Sequence, residues 1–265
     1  MFFVIGELIN SSRSDVAEAL AKRDEIVIRR LAKAQAEAGA QAIDVNAGQS
    51  VDSEIPDLLW LINIVQDELG QDVRLAIDTT NPEAMGAALE ACSGRPIVNS
   101  ITNERHKASL VELAAASDAE VIGLAMGEHG MPKTAADRIQ ETRALLAKCD
   151  RSRLAHDRLY VDTICMSVGS SPEQGREVLA ATRQIKEELG VRTFTAVSNV
   201  SFGLPNRRLL NRTFLAMLVE AGLDGVIMDP TDKQIMDTLC AARALLGADN
   251  YCLQYIRRHK EQRRN

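Results

Sequence analysis

Eight short apolar runs punctuate the chain, each followed by a longer segment in which apolar residues return at helical spacing. The runs are "FFVIGE" (2–7), "AIDVN" (42–46), "VRLAID" (73–78), "PIVNS" (96–100), "EVIGLA" (120–125), "RLYVDT" (158–163), "RTFTAV" (192–197) and "GVIMD" (225–229). Most are continuously apolar rather than alternating, which suits strands covered on both faces, as in parallel sheets. The intervening patterns include "VAEALAKRDEIVIRRLAKAQAEAGA" (16–40) and "SPEQGREVLAATRQIKEELG" (171–190), each read as one helix. Helix starts are marked at Asn81-Pro82-Glu83 and Ser171-Pro172-Glu173, and helix ends at Gly39, Gly70, Gly190 and Gly222. Eight strand–helix units in 265 residues predict a closed (β/α)8 TIM barrel, a single domain over 1–265. A doubly wound open sheet is the rival. It would carry a glycine-rich phosphate turn after the first strand, and "GELINSSR" (6–13) is not one.

Composition narrows the function. The chain is 46% hydrophobic and 26% charged, with 37 acidic against 31 basic residues. No basic stripe crosses its body, which argues against nucleic acid as a partner. The basic tail "YIRRHKEQRRN" (255–265) reads as a solvated terminal helix. No apolar run reaches membrane-spanning length, and "MFFVIGELIN" lacks the plan of a signal peptide. The five cysteines are scattered, without a C-x-x-C pair, which points to reduced thiols, a cytoplasmic protein and no structural zinc.

The strand ends carry the chemistry. In such a barrel the C-terminal ends of the strands and the loops after them form the active site. Here they hold Glu7 and Asn10, Asp44 and Asn46, Asp78, Asn99, Asp162, Asn199 and Asp229. Taken singly, Asp78 or Asp162 reads equally well as a helix N-cap. Convergence of so many from separate strands is not what capping requires. None of the histidines, His106, His129, His156 and His259, ends a strand, and H-E-x-x-H and G-x-S-x-G are both absent. No bound metal is expected, because an amide-rich rim is a poor cage for a hard cation. The rim suits a neutral, flat heterocycle held by hydrogen bonds. A pterin fits: one edge presents an amino group and a ring N–H that a single carboxylate accepts together. Asn, donor and acceptor at once, serves ring nitrogens of differing polarity.

In order along the chain, "GELIN", "IDVNAG", "IDTTNPEAM", "IVNSIT", "LYVDTI" and "SNVSFGLPNRRLLNRTFLAM" resemble the motifs of methyltetrahydrofolate:corrinoid protein methyltransferases. These are pterin-binding barrels related to the folate domain of cobalamin-dependent methionine synthase. The resemblance implies methyl transfer between N5 of methyltetrahydrofolate and the cobalt(I) of a cobalamin or related corrinoid. It implies that Asp78, Asn99 and Asp162 hold the pterin, with Asp162 on the pyrimidine edge. Asn199 matches the asparagine that turns toward N5, Ser198 shapes that loop, and Asn10 and Asp44 support the site. It further implies a homodimer. A D-x-H-x-x-G corrinoid motif is absent, so a separate corrinoid protein is the expected partner.

A methyl group on a tertiary amine departs badly unless N5 is protonated or hydrogen-bonded as charge develops. An amide has no proton to give, so Asn199 is expected to stabilise the N5–H, with the proton coming from water or from a network that includes the rim acids. The plainer reading of Asn199 is an Asx-type cap for a helix starting near Asn206. Arg207 and Arg208 are read first as surface residues of that helix, the rarer alternative being contact with the negatively charged benzoyl-glutamate tail. The sequence departs from many relatives at "TAV" (195–197) and at Phe202. The alternatives are a dihydropteroate synthase-like enzyme and a non-catalytic folate-binding subunit. The first should carry a lysine loop and a terminal Arg-His pair where this chain has "SNVSF" and "GVIMDPTDKQ" (225–234). The sequence leaves the direction of transfer open.

Overall fold

The buried-strand pattern resolves into a closed parallel barrel in sequence order, β1 through β8. The computed structural model describes residues 2–48 and 52–261. The strands are β1 (Phe3–Asn10), β2 (Ala42–Asn46), β3 (Leu75–Asp78), β4 (Ile97–Ile101), β5 (Glu120–Leu124), β6 (Leu159–Asp162), β7 (Arg192–Ala196) and β8 (Gly225–Met228). β1 closes the barrel on β8 with Phe3 opposite Gly225 and Ile5 opposite Ile227. Every expected strand forms. β1 runs three residues past its expected end, to Asn10.

Helices cover the outside: α1 (Ser14–Lys22), α2 (Glu25–Glu37), α3 (Glu54–Leu69), α4 (Pro82–Ala91), α5 (Ala108–Ala116), α6 (Ala135–Arg151), α7 (Gln174–Gln184), α8 (Arg207–Glu220), α9 (Lys233–Leu245) and α10 (Leu253–Glu261). The long pattern at 16–40 is two helices rather than one. Arg23 turns left-handed (φ 53°), and Asp24 restarts the chain by accepting the Ile26 amide at 3.1 Å. The Ser171-Pro172-Glu173 signal also falls short of a helix start. Those residues form a turn in which the Gln174 amide donates to the Ser171 carbonyl, and α7 begins only at Gln174. Asn81 does cap α4, accepting from the Glu83 and Ala84 amides. The terminal helix forms as α10, and the last four residues of the basic tail, 262–265, lie outside the described residues. Among the described residues no helix is long and apolar enough to cross a membrane.

Inside the barrel, alternate residues of each strand stack in layers. Phe3, Ile5, Ala42, Ala76, Ile97, Ile122, Tyr160 and Phe194 form the inner core. Phe3 stacks on Tyr160 at 5.5 Å, and Phe194 meets Tyr160 edge-on at 5.8 Å. Gly225 makes room for the Phe194 ring, which a Cβ there would meet at 2.7 Å. Continuing the same inward alternation brings up Glu7, Asp44, Asp78, Asn99 and Asp162, so the apolar plug becomes the floor of a polar mouth. Two register shifts shape that mouth, in β1 between Gly6 and Ile9 and in β4 between Asn99 and Ile101. Each adds a residue to one strand, a device that re-aims side chains at barrel rims.

Candidate active site

The mouth holds a cavity of about 530 Å³, within the range of small-molecule sites. Asn10, Asp44, Asp78, Asn99, Asp162, Ser198 and Asn199 all line it. Six strands or their following turns therefore send the expected residues to one place: β1, β2, β3, β4, β6 and β7.

The acids and amides are cross-linked. Asn99 Nδ2 donates to Asp44 Oδ1 at 3.0 Å, and Asn46 Nδ2 donates to Asp78 Oδ2 at 3.1 Å. The Ser11 hydroxyl donates to Asn46 Oδ1 at 2.7 Å, which fixes the Asn46 amide. Asp162 Oδ1 accepts the Ile164 amide at 2.7 Å. Asn10 closes its own turn by accepting the Ser12 amide at 2.9 Å. Neither Asp78 nor Asp162 caps a helix, so the capping alternative does not hold for either.

Burial dominates the electrostatics. It pushes the Asp78 carboxyl up to about 6, opposed by the Asn46 hydrogen bond. It also pushes the Asp162 carboxyl up to about 6, opposed by the Ile164 amide. Asp44 is driven well above the carboxylate range by burial and by Asp78 beside it. Glu7 is raised by burial and lowered by the Ser198 hydroxyl, which donates to its Oε2 at 2.9 Å. Desolvated acids with no ion pair among the described residues, lining a cavity, suit a ligand edge rich in N–H donors.

The β7 end is built differently. Residues Val197–Ser201 form a 3-10 turn, and the Asn199 side chain is exposed with no hydrogen bond among the described residues. Asn206, not Asn199, occupies the N-cap position of α8, so the cap reading of Asn199 fails. Arg207 fastens the turn: its Nη2 donates to the Ser198 carbonyl at 2.8 Å and its Nε to Ser201 Oγ at 3.1 Å. Its guanidinium lies 5.8 Å from the ring of Phe202, which is 72% exposed at the cavity edge. Arg207 is thus part of the site's frame rather than a plain surface residue, whereas Arg208 is 79% exposed.

Other framing residues gave no sequence signal. Buried Glu54 of α3 accepts from Thr79 Oγ1 and from Asn81 Nδ2, tying the segment after Asp78. Fully buried Arg138 of α6 donates to the Thr163 and Ile164 carbonyls and to Gln174 Oε1, and so holds the loop after Asp162. In sequence both are single charged residues in amphipathic helices, indistinguishable from solvated ones. Among the described residues no group of three or more His, Cys, Asp and Glu is placed to hold a metal ion.

A parallel eight-stranded barrel with a mouth of acids and amides defines a class of enzymes that grip heterocycles at the strand ends. The chain belongs to one such family: residues 6–229 match the family described as pterin binding enzyme. It is 31% identical over 263 residues to a methylcorrinoid:tetrahydrofolate methyltransferase of Eubacterium limosum, covering 97% of this chain and 96% of that protein. It is 27% identical over 273 residues to a methionine synthase of Mycobacterium tuberculosis, where it spans 97% of itself but only 22% of the relative. In fold it is similar to a Yersinia pestis DHPS solved with a pterine-sulfa conjugate, with a TM-score of 0.69, 16% identity and 93% of each chain covered.

Proposed function

We propose that this protein transfers a methyl group between N5 of a tetrahydrofolate and the cobalt of a corrinoid carried by a separate protein. The observation that carries the reading is the convergence of Asp78, Asn99, Asp162 and Asn199 on one cavity whose floor is apolar. The 31% identity to a relative named for methylcorrinoid and tetrahydrofolate, over nearly the full length of both chains, supports the same chemistry.

In this reading Asp162 accepts the amino group and ring N–H of the pterin edge, and Asp78 and Asn99 hold the remaining ring polar atoms. Leaving such donors unpaired in a buried site would cost about 1–3 kcal/mol each, so matched acceptors set the selectivity for the ring. Asp44 holds the Asn99 amide and Asn10 shapes the β1 turn, both in support. Asn199, exposed and without a partner, is available to turn to N5 and accept the N5–H as it forms, an interaction stronger in the transition state than before it. Ser198 sets the position of that turn through its bond to Glu7. One barrel domain spanning 1–265 carries the activity, and the cytoplasmic setting read from the scattered cysteines and the homodimer implied by the resemblance belong to this proposal; light scattering tests the pairing.

The deciding experiment mixes purified protein, methyltetrahydrofolate and reduced corrinoid anaerobically. Loss of the cobalt(I) absorbance, with tetrahydrofolate formed in equal amount, is the expected result. Tight folate binding without that loss would leave a folate-binding subunit, and condensation of a pterin with p-aminobenzoate would reassign it as dihydropteroate synthase-like.

A further inference from the structure

Glu7 lies in β1 where the pairing of that strand with β2 slips by one residue. In β1, Gly6 pairs with Ile43 and Ile9 with Val45, so Glu7 and Leu8 span a bulge. The bulge is held from outside the barrel. The Leu8 amide donates to Gln35 Oε1 of α2 at 2.8 Å, and Gln35 approaches so closely that a Cβ on Gly6 would collide with it. The Glu7 carboxyl, inward by the alternation of Phe3 and Ile5 before it, sits at the start of this bulge, and its Oε2 accepts from Ser198 Oγ.

Glu7 lines two cavities. One is the mouth; the other is a side chamber of about 190 Å³ bounded by Arg207, Arg208, Asn211, Asp229 and Asp232. The 79% exposure of Arg208 shows that the chamber reaches the surface. Asp44, Asp78 and Asp162 line the mouth alone. Each acid, Glu7 included, has one carboxylate oxygen committed to a donor (Asn99, Asn46, the Ile164 amide or Ser198), so it is the second chamber that sets Glu7 apart. The charged groups facing Glu7 come from every side: Asp229 after β8 favours its proton, Arg207 of α8 and Arg13 after β1 oppose it, and Glu7 in turn raises Asp44 on β2. Burial outweighs them and raises the carboxyl.

We propose that Glu7 is the acid that exchanges the N5 proton between the ring cavity and the side chamber, an assignment that rests on the methyl-transfer reading above. As methyl leaves folate, the C–N5 bond breaks and its electron pair stays on N5. The cobalt(I) lone pair of the corrinoid substrate forms the new bond to carbon. Glu7 gives its proton to N5 and regains one from water in the side chamber. In the opposite direction the Glu7 carboxylate takes the N5 proton while the amine attacks the methyl group and cobalt(I) departs with its pair. Because Ser198 donates to the same carboxyl, the turn bearing Asn199 is attached to the proton-carrying group.

The test is single-turnover methyl transfer from methyltetrahydrofolate to free cob(I)alamin, wild type against Glu7→Gln and Glu7→Asp, between about pH 5 and pH 9. In this direction the wild-type rate should fall as pH rises and Glu7 loses its proton. Glu7→Gln should slow transfer by about 100-fold at the pH of the wild-type maximum and remove that limb. Its affinity for methyltetrahydrofolate, measured by calorimetry, should change by less than about threefold because no ring-holding group is altered. Glu7→Asp should keep a limb with a reduced rate. A Glu7→Gln protein with the wild-type rate, or one slowed equally at every pH with the limb intact, overturns the assignment. Wild-type protein that binds methyltetrahydrofolate but never methylates the corrinoid overturns the methyl-transfer reading, and the assignment with it.

Discussion

The two ends of the barrel treat charge in opposite ways. At the N-terminal end, Glu120 is surrounded by cations: Arg74 bonds it directly, with Arg192 at 3.6 Å and Arg95 at 3.8 Å. Arg192 also lies over the Tyr160 ring at 3.9 Å and Arg74 over Phe3 at 4.7 Å, while Lys186 pairs with Asp224 at 2.6 Å. At the C-terminal end Glu7, Asp44, Asp78 and Asp162 are buried or nearly so, and among the described residues none is ion-paired. Paired charge closes the base of the barrel; unpaired charge at the mouth is a standing cost that a ligand can relieve.

Separating these roles by mutation tests the contrast. Glu120→Ala should have the largest effect, a loss of about 3–5 kcal/mol in denaturant unfolding, because it leaves clustered cations without their acid. Methyl transfer per folded molecule should be unaffected. Asn199→Ala should do the reverse: stability unchanged, pterin affinity nearly so, and single-turnover transfer slowed by about 10- to 1,000-fold. Unchanged turnover would remove Asn199 from the chemistry.

Asp162→Asn should weaken pterin binding by roughly 1.5–3 kcal/mol, since a double acceptor becomes a mixed group. Calorimetry should also show wild-type affinity falling as pH drops below about 6, where Asp162 takes up a proton, and the variant losing that dependence. The smallest effect is on the empty protein. A carboxyl raised to about 6 by folding favours the folded state at low pH and loses that advantage as pH rises. Relative to wild type, Asp162→Asn should therefore unfold at a temperature a few degrees higher at pH 8, with the gap closing toward about pH 4. A variant less stable at pH 8 would mean that the acid is not a burden there.

Much of this was legible in the sequence, for identifiable reasons. Strands buried on both faces are continuous apolar runs whose C-terminal ends meet at the mouth, so Asp78, Asn99, Asp162 and Asn199 could be marked as rim residues from position, and the resemblance to the methyltransferases singled them out from the other rim acids and amides. What escaped depends on three-dimensional register. The break at Arg23 is a backbone reversal inside an unbroken amphipathic pattern. Glu54, Arg138 and Arg207 act through partners 25, 26 and 9 positions away, on Thr79, the Ile164 carbonyl and Ser198. Periodicity carries no trace of those pairings. Glu7 was visible as a rim acid, but its place between two cavities is set by the packing of β1 against the turn after β7 and the segment after β8, which spacing does not reveal.

The contact between Gly6 and Gln35 has a consequence for how such a catalyst could change over time. A helix on the outer ring grips the backbone of an inner strand at its irregular point, so one added methyl group at position 6 would unseat Gln35. The acid behind it would then swing to a new bearing, and the enzyme's response to acidity could be retuned without altering any group in contact with its substrate.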